Sequence, residues 1–232
     1  MTVLHTEPLT TLNSCAIPLQ DRSEEAALQP SGTAVPSLPP LANGVPTSVF
    51  GFAIVVLMLS LANTGIIGSG TTFVPIAMVI GFLTIGIGGL YELRNGDLFG
   101  GTFGVVYATF LLATGVILRF FAPAADADAD AVAAFGQEVG AFFLLAALLS
   151  VVFTVAARLV NLTAVVAFAL LAVVLLLAGL ANIVGGDTGA TLTKAAGYVG
   201  LLDGLAAFYL ASGILLNTMH GKDLLPLGAP KP

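Results

Sequence analysis

The chain has 232 residues, of which 57% are hydrophobic and only 9% charged, and its formal net charge is −6. Soluble domains average about 25% charged residues, so this chain has too few to cover a water-facing surface. The acidic balance is no footprint for nucleic acid, and the single cysteine, Cys15, excludes an internal disulfide framework or a paired-cysteine metal site. His5 and His220 both lie outside the apolar runs, so neither a zinc site nor any other cofactor is expected.

Residues 1–45 mix Pro, Ser, Thr and acids, including Asp21, Glu24, Glu25, Pro36, Pro39 and Pro40, without a helical period. A secretory signal would need a basic start and an uninterrupted apolar core, and neither is present. This region is predicted to be a disordered cytoplasmic tail, either an inert solvated segment or a regulatory one. From residue 46 six apolar segments follow, at 47–67, 73–91, 98–121, 131–157, 160–183 and 191–217. Each is near the roughly 20 residues that a bilayer requires. The breaks between them carry Gly68-Ser69-Gly70, Asn95-Gly96-Asp97, Pro123 with Asp126, Asp128 and Asp130, then Arg158, then Gly185-Gly186-Asp187. The expected fold is all-α, a polytopic membrane protein with six transmembrane helices over residues 46–218 and a short C-terminal tail over 219–232. The 27 glycines suit helices whose backbones approach closely in lipid.

An even number of spans puts both termini on one side. Arg94, Arg158, Lys222 and Lys231 fall on that side, whereas Arg119 and Lys194 fall on the other, diluted by the aspartates at 126, 128 and 130. The excess of basic residues marks the cytoplasmic face, so both termini are placed inside a cytoplasmic membrane.

The first span carries Ser60-Leu-Ala-Asn63-Thr-Gly65, which the fifth echoes as Gly179-Leu-Ala-Asn182-Ile-Val-Gly185. Repeats of this kind can frame a transport site. Phe52, Val56, Ser60 and Asn63 share one face of the first span, and Leu171, Leu175, Ala178 and Asn182 share one face of the fifth. Each stripe sets a bulky apolar residue about 16 Å from its asparagine. An amide can donate to and accept from a carboxyl group, at far less cost in a membrane than a charge. The same asparagines could instead cap helices or bond across an interface, and the residues alone leave both readings open.

Between the second and third spans lies Gly89-Leu-Tyr-Glu-Leu-Arg-Asn-Gly-Asp-Leu-Phe-Gly-Gly-Thr-Phe-Gly-Val-Val-Tyr107. This polar hairpin resembles the signature of the acetate uptake transporter family, the acetate/succinate–proton symporters and their fungal ammonium/acetate relatives. Gly89, Leu90, Glu92, Gly96, Phe99, Gly100, Thr102 and Tyr107 match at fixed spacing, with Asp97 where the family has Asn. Asn43 and Pro46 are what remains of the family's N-terminal substrate motif. Further likeness runs through Gly197-Tyr-Val-Gly200, Tyr209-Leu-Ala-Ser-Gly213, Asn217 and Leu225-Pro-Leu-Gly228, so that it covers roughly residues 43–228. The resemblance implies a hexamer in which each protomer has its own pathway. It also implies a hydrophobic constriction, whose residues correspond here to Phe52, Tyr107 and Leu171.

No Lys or Arg lies near the centre of a span, so passage of the neutral acid or proton-coupled uptake is favoured over a bare carboxylate. Glu138 and Asp203 are the carboxylates well inside spans, and an ionisable group there is a functional candidate by default. Asp203, flanked on its face by Gly200 and Ala207, either couples to protons or bonds to a neighbouring helix. Glu92, beside Arg94, is expected to fix the hairpin. No G-x-S-x-G, H-E-x-x-H or phosphate loop is present, and no enzyme is expected. The reading is a transporter of small monocarboxylates, acetate first and succinate next, with protons and the lipid bilayer as its other partners. A urea or short-amide channel and an ammonium transporter are the alternatives, and a non-transporting sensory membrane protein is a third class.

Overall fold

In a hydrocarbon environment each backbone polar group must find its partner within its own segment, which leaves the helix as the solution for an apolar run of this length. The computed structural model describes residues 42–68 and 72–228, so the tail expected over residues 1–45 lies almost wholly outside the described residues. Six helices are each long and apolar enough to cross a membrane: α1 (Val45–Thr64), α2 (Phe73–Asn95), α3 (Leu98–Phe121), α4 (Ala129–Ala157), α5 (Leu162–Val184) and α6 (Gly186–His220). No strand occurs among the described residues. The protein is therefore an all-helical, six-span, multi-pass membrane protein.

Helix ends follow local chemistry. Gly65 (φ 79°) and Gly96 (φ 83°) adopt the left-handed conformation that closes α1 and α2, which a side chain would strain. Asp97, Asp128 and Asn161 cap the starts of α3, α4 and α5, their side chains accepting from the N–H of Gly100, Ala131 and Ala164. The fourth and fifth spans are thus separated by a tight turn over residues 158–161. Two stretches, Ala77–Ile85 in α2 and Ile117–Phe121 in α3, widen to π-helical hydrogen bonding. The sixth helix starts at Gly186, five residues before the apolar run at 191. Gly185 (φ 63°) makes the bend, and Asp187 stands in the first turn, where the helix dipole favours an acid.

The helices form a ring in chain order. α1 packs on α2 and on α6, α2 on α3, α4 on α5, and α5 on α6. Most of these seams are closed by glycine. Gly44 meets the backbone of Gly88, Gly89 meets that of Gly104, and Gly101 meets Leu93. On the other side, Gly140 meets Gly179, while Gly197, Gly200 and Gly204 of α6 meet Thr64, Ser60 and Leu57 of α1. Gly88 and Gly89 are thus packing residues. Only α3 and α4 keep their backbones apart, and they meet through side chains.

Residues 221–228 fold back rather than trailing away. The N–H groups of Leu162 and Thr163 donate to Gly228 and Leu227, so this segment satisfies orphan donors at the start of α5. Asn217 accepts from the N–H groups of Leu224 and Leu225, and the Tyr209 hydroxyl donates to the carbonyl of Pro226.

Candidate transport pathway

A cavity of about 70 Å³ opens inside the ring, at the end of the bundle shared by the two termini. Asp97 and Asn161, both helix caps, stand at its rim, and Phe52, Phe103 and Leu171 lie at its depth. Ala207 and Leu210 of α6 complete the wall. From Val45 to Phe52 along α1 the descent is about 10 Å. Apart from the rim the lining is aliphatic and aromatic, which suits a solute that has shed its charge or its water.

The aromatic residues form a connected set behind this wall. Phe103 stands edge-on to Phe168 (5.2 Å between ring centres) and to Phe52 (5.9 Å), and Tyr107 lies 6.3 Å from Phe52. Phe99, Phe153 and Phe168 extend the cluster towards the rim. Edge-to-face contacts of this kind hold rings in set orientations, worth about 0.5–1.5 kcal/mol per pair beyond burial. Tyr107 is 1% exposed, and its hydroxyl pairs with Ser150 of α4 at 2.6 Å. Ser150 in turn donates to the carbonyl of Ala146 in its own helix.

Phe52 and Leu171 both line the cavity, whereas Tyr107 sits behind Phe103 and reaches across to α4. Phe103 and Phe168 take the places next to them, and neither was singled out from sequence. The signal was available: Phe99, Phe103 and Tyr107 repeat at every fourth residue on one face of α3, and Phe168 precedes Leu171 by one turn.

Ser60 is buried on the α1–α6 seam against Gly200, and Asn63 lies one turn on, against Gly197. Asn182 is half-buried, bonds back to the carbonyl of Ala178, and borders a separate hollow between α4, α5 and α6 at the end of the bundle away from the termini. The two asparagines therefore occupy different seams. Asn43 is exposed at the start of α1, where its side chain accepts from the N–H of Val45.

Glu92 is buried and accepts from the N–H of Gly44, tying the end of α2 to the start of α1. Gly96 makes the left-handed turn, Phe99 and Gly100 line the cavity, and Thr102 is half-buried on α3. Glu138 is exposed on the outside of the ring. It stands about 28 Å along α4 from the helix end at Ala157, close to the roughly 30 Å that a hydrocarbon core spans. Asp203 is the opposite case. It is fully buried inside the ring, and neither carboxylate oxygen has a hydrogen-bond partner among the described residues.

With this geometry in hand, the likeness to known proteins is direct. The model of the GPR1/FUN34/yaaH family matches residues 25–221. The succinate-acetate/proton symporter SatP of Escherichia coli is 28% identical over 188 residues, which is 81% of this chain and 96% of that protein. Ammonia transport outward protein 2 of Saccharomyces cerevisiae is 31% identical over 187 residues, covering 78% of this chain and 65% of that one. Among solved structures, that of the bacterial acetate channel SatP superposes with a TM-score of 0.71 at 28% identity, over 81% of this chain and 99% of that chain. The chain belongs to the GPR1/FUN34/yaaH family.

Proposed function

We propose that this member of the family moves small carboxylates, the monocarboxylate acetate first and the dicarboxylate succinate next, through the centre of its own six-helix ring. The observation that carries the reading is the apolar cavity that ends on Phe52, Phe103 and Leu171. Its terminal-side rim is polar and its depth is apolar. A solute entering from the terminal side meets a constriction that is poorly hydrated, and such a constriction rejects ions while passing neutral molecules.

In this account Phe52 and Leu171 face the solute, Phe103 and Tyr107 back them, and Ser60, Asn63 and Asn182 offer polar contacts towards the other end. Asn43, Glu92, Gly96, Phe99, Gly100 and Thr102 shape the entrance. Proton coupling belongs to Asp203, which faces the interior, rather than to Glu138, which faces outward. Both termini lie in the cytoplasm, residues 1–45 form a tail outside the membrane domain, and the working unit is a hexamer in the cytoplasmic membrane. The names of the SatP relatives support the substrate class. That of the yeast relative supports ammonium transport as a second reading.

Purified protein in proteoliposomes, supplied in turn with labelled acetate, urea and ammonium, tests this. Acetate uptake above protein-free vesicles is the expected result. Uptake of urea or ammonium without acetate would replace the reading, and no uptake of any of them would end it.

A further inference from the structure

We propose that residues 224–228 are a clasp across the open end of the α5–α6 hairpin, which fixes the width of the cavity's mouth and so the size of solute admitted. That the clasp governs a solute rests on the reading of the cavity as a pathway, whereas that it holds the two helices together does not.

The hairpin is the first argument. α5 ends at Val184 and α6 starts at Gly186, so Gly185 alone joins them. Gly185 (φ 63°) and Gly186 (φ 57°) both have positive φ, which glycine adopts without strain. The opposite ends of the two helices have no such link, and the cavity opens there. Asn161, Ala164 and Ala167 line it from α5, and Leu210 and Ile214 line it from α6. Helices joined at one end and lining a cavity at the other alter its width by pivoting.

The bonding of residues 224–228 is the second. On the α6 side, Asn217 Oδ1 accepts from the N–H groups of Leu224 (2.8 Å) and Leu225 (2.9 Å), and its Nδ2 donates to the carbonyl of Leu225 (2.9 Å). Both acceptor sites of the amide and one donor are thereby used. The Tyr209 hydroxyl donates to Pro226 (2.9 Å), and the Leu227 side chain fills the space that a Cβ at Gly213 would take, beside Ile214. On the α5 side, the Leu227 carbonyl accepts from the N–H and the hydroxyl of Thr163, and the Gly228 carbonyl accepts from the N–H of Leu162 (2.8 Å).

These bonds have no substitute. Among the described residues no hydrogen bond runs directly from α5 to α6, so the polar ties between them pass through this segment. Lipid tails are as apolar as the helix faces, so the hydrophobic effect does not drive helices together inside a bilayer. The clasp therefore decides how far apart the two helices stand at the mouth.

Asn217 is the positioning residue to test, since it binds the clasp and lines no part of the cavity. Asn217→Leu should free the clasp. Leu162 and Thr163 stand in the first turn of α5, where an N–H has no intrahelical partner, so the clasp alone protects them. Their amide hydrogens are expected to exchange about tenfold faster or more than in wild type, although the substitution lies on another helix. In proteoliposomes the ratio of succinate to acetate uptake, per folded oligomer, is expected to rise about threefold or more. Tyr209→Phe, which removes one bond, should shift both readouts the same way by less, and it carries the test if Asn217→Leu yields no folded protein. Unchanged exchange in both variants would overturn the clasp. Faster exchange with an unchanged uptake ratio would overturn its control of the mouth. Absence of uptake of either solute by wild type would overturn the transport reading, and the exchange rates would still decide whether the clasp holds α5 to α6.

Discussion

The seam between α1 and α6 and the seam between α3 and α4 close the same ring by opposite means. In the first, Gly197, Gly200 and Gly204 let two backbones meet, and a Cβ at any of them would run into Thr64, Ser60 or Leu57. In the second the backbones stand apart, and the space is filled by rings. Phe110 stacks on Phe142 with 5.0 Å between centres, Tyr107 lies 5.7 Å from Phe153, and one hydrogen bond joins Tyr107 to Ser150. A backbone contact has no rotamers to change, whereas a contact between side chains can repack. The α1–α6 seam is therefore the fixed wall of the ring and the α3–α4 seam the compliant one, and the proposed constriction lies between them.

Breaking the fixed wall should have the largest effect. Gly200→Leu drives a side chain into Ser60, and neither backbone can retreat without opening the ring. Overpacking of this kind costs about 1–3 kcal/mol even where neighbours can adjust, and more where they cannot. The expected outcome is loss of monodisperse protein in detergent, read by size-exclusion chromatography. A well-folded Gly200→Leu protein would mean that this wall also gives.

The compliant wall should respond by degrees. Tyr107→Phe leaves Ser150 with its bond to Ala146 but without its cross-helix partner. The single change should cost about 1–3 kcal/mol if the remaining group stays unsatisfied. Ser150→Ala in the same background should add little, giving a coupling energy of about 0.5–3 kcal/mol in a double-mutant cycle of thermal stability. Additive losses would show that the hydrogen bond does not hold α3 to α4. Asp97→Asn, at the rim and away from both walls, should change stability by only a few tenths of a kcal/mol, because either residue caps a helix well. A large loss there would mean that the Asp97 carboxylate does more than accept from Gly100.

Much of the ring was legible in the sequence, for identifiable reasons. Six apolar runs of spanning length leave little choice of fold, and Asn95-Gly96-Asp97 supplies both a left-handed turn and a cap. The high glycine content announced close packing, whereas the pairing of Gly88 with Gly44 and of Gly89 with Gly104 is seen only in three dimensions. The early start of α6 was missed because Asp187, Thr188 and Thr191 look like loop to a hydropathy scale, although all are acceptable in a helix that emerges from the bilayer. Phe103 and Phe168 are readable from periodicity, whereas the family likeness points to Phe52, Tyr107 and Leu171. The pairing of Tyr107 with Ser150 spans 43 positions and has no local signature. Nor does the bare carboxyl of Asp203, since a sequence shows which residues are polar but not which of them are left without a partner.

Leu171, the α5 residue at the depth of the cavity, is 4% exposed and shares its wall with Phe52, Phe103 and Phe168. If it borders the solute, Leu171→Ala widens and wets the constriction. If it is an ordinary packing residue, the same change leaves a cavity costing about 2–5 kcal/mol. The measurement is uptake of labelled acetate and labelled succinate per correctly folded oligomer, wild type against Leu171→Ala. Faster acetate uptake, or a higher ratio of succinate to acetate, is the predicted result. A uniform loss of both, with their ratio unchanged, would contradict the account and move the pathway away from the centre of the ring.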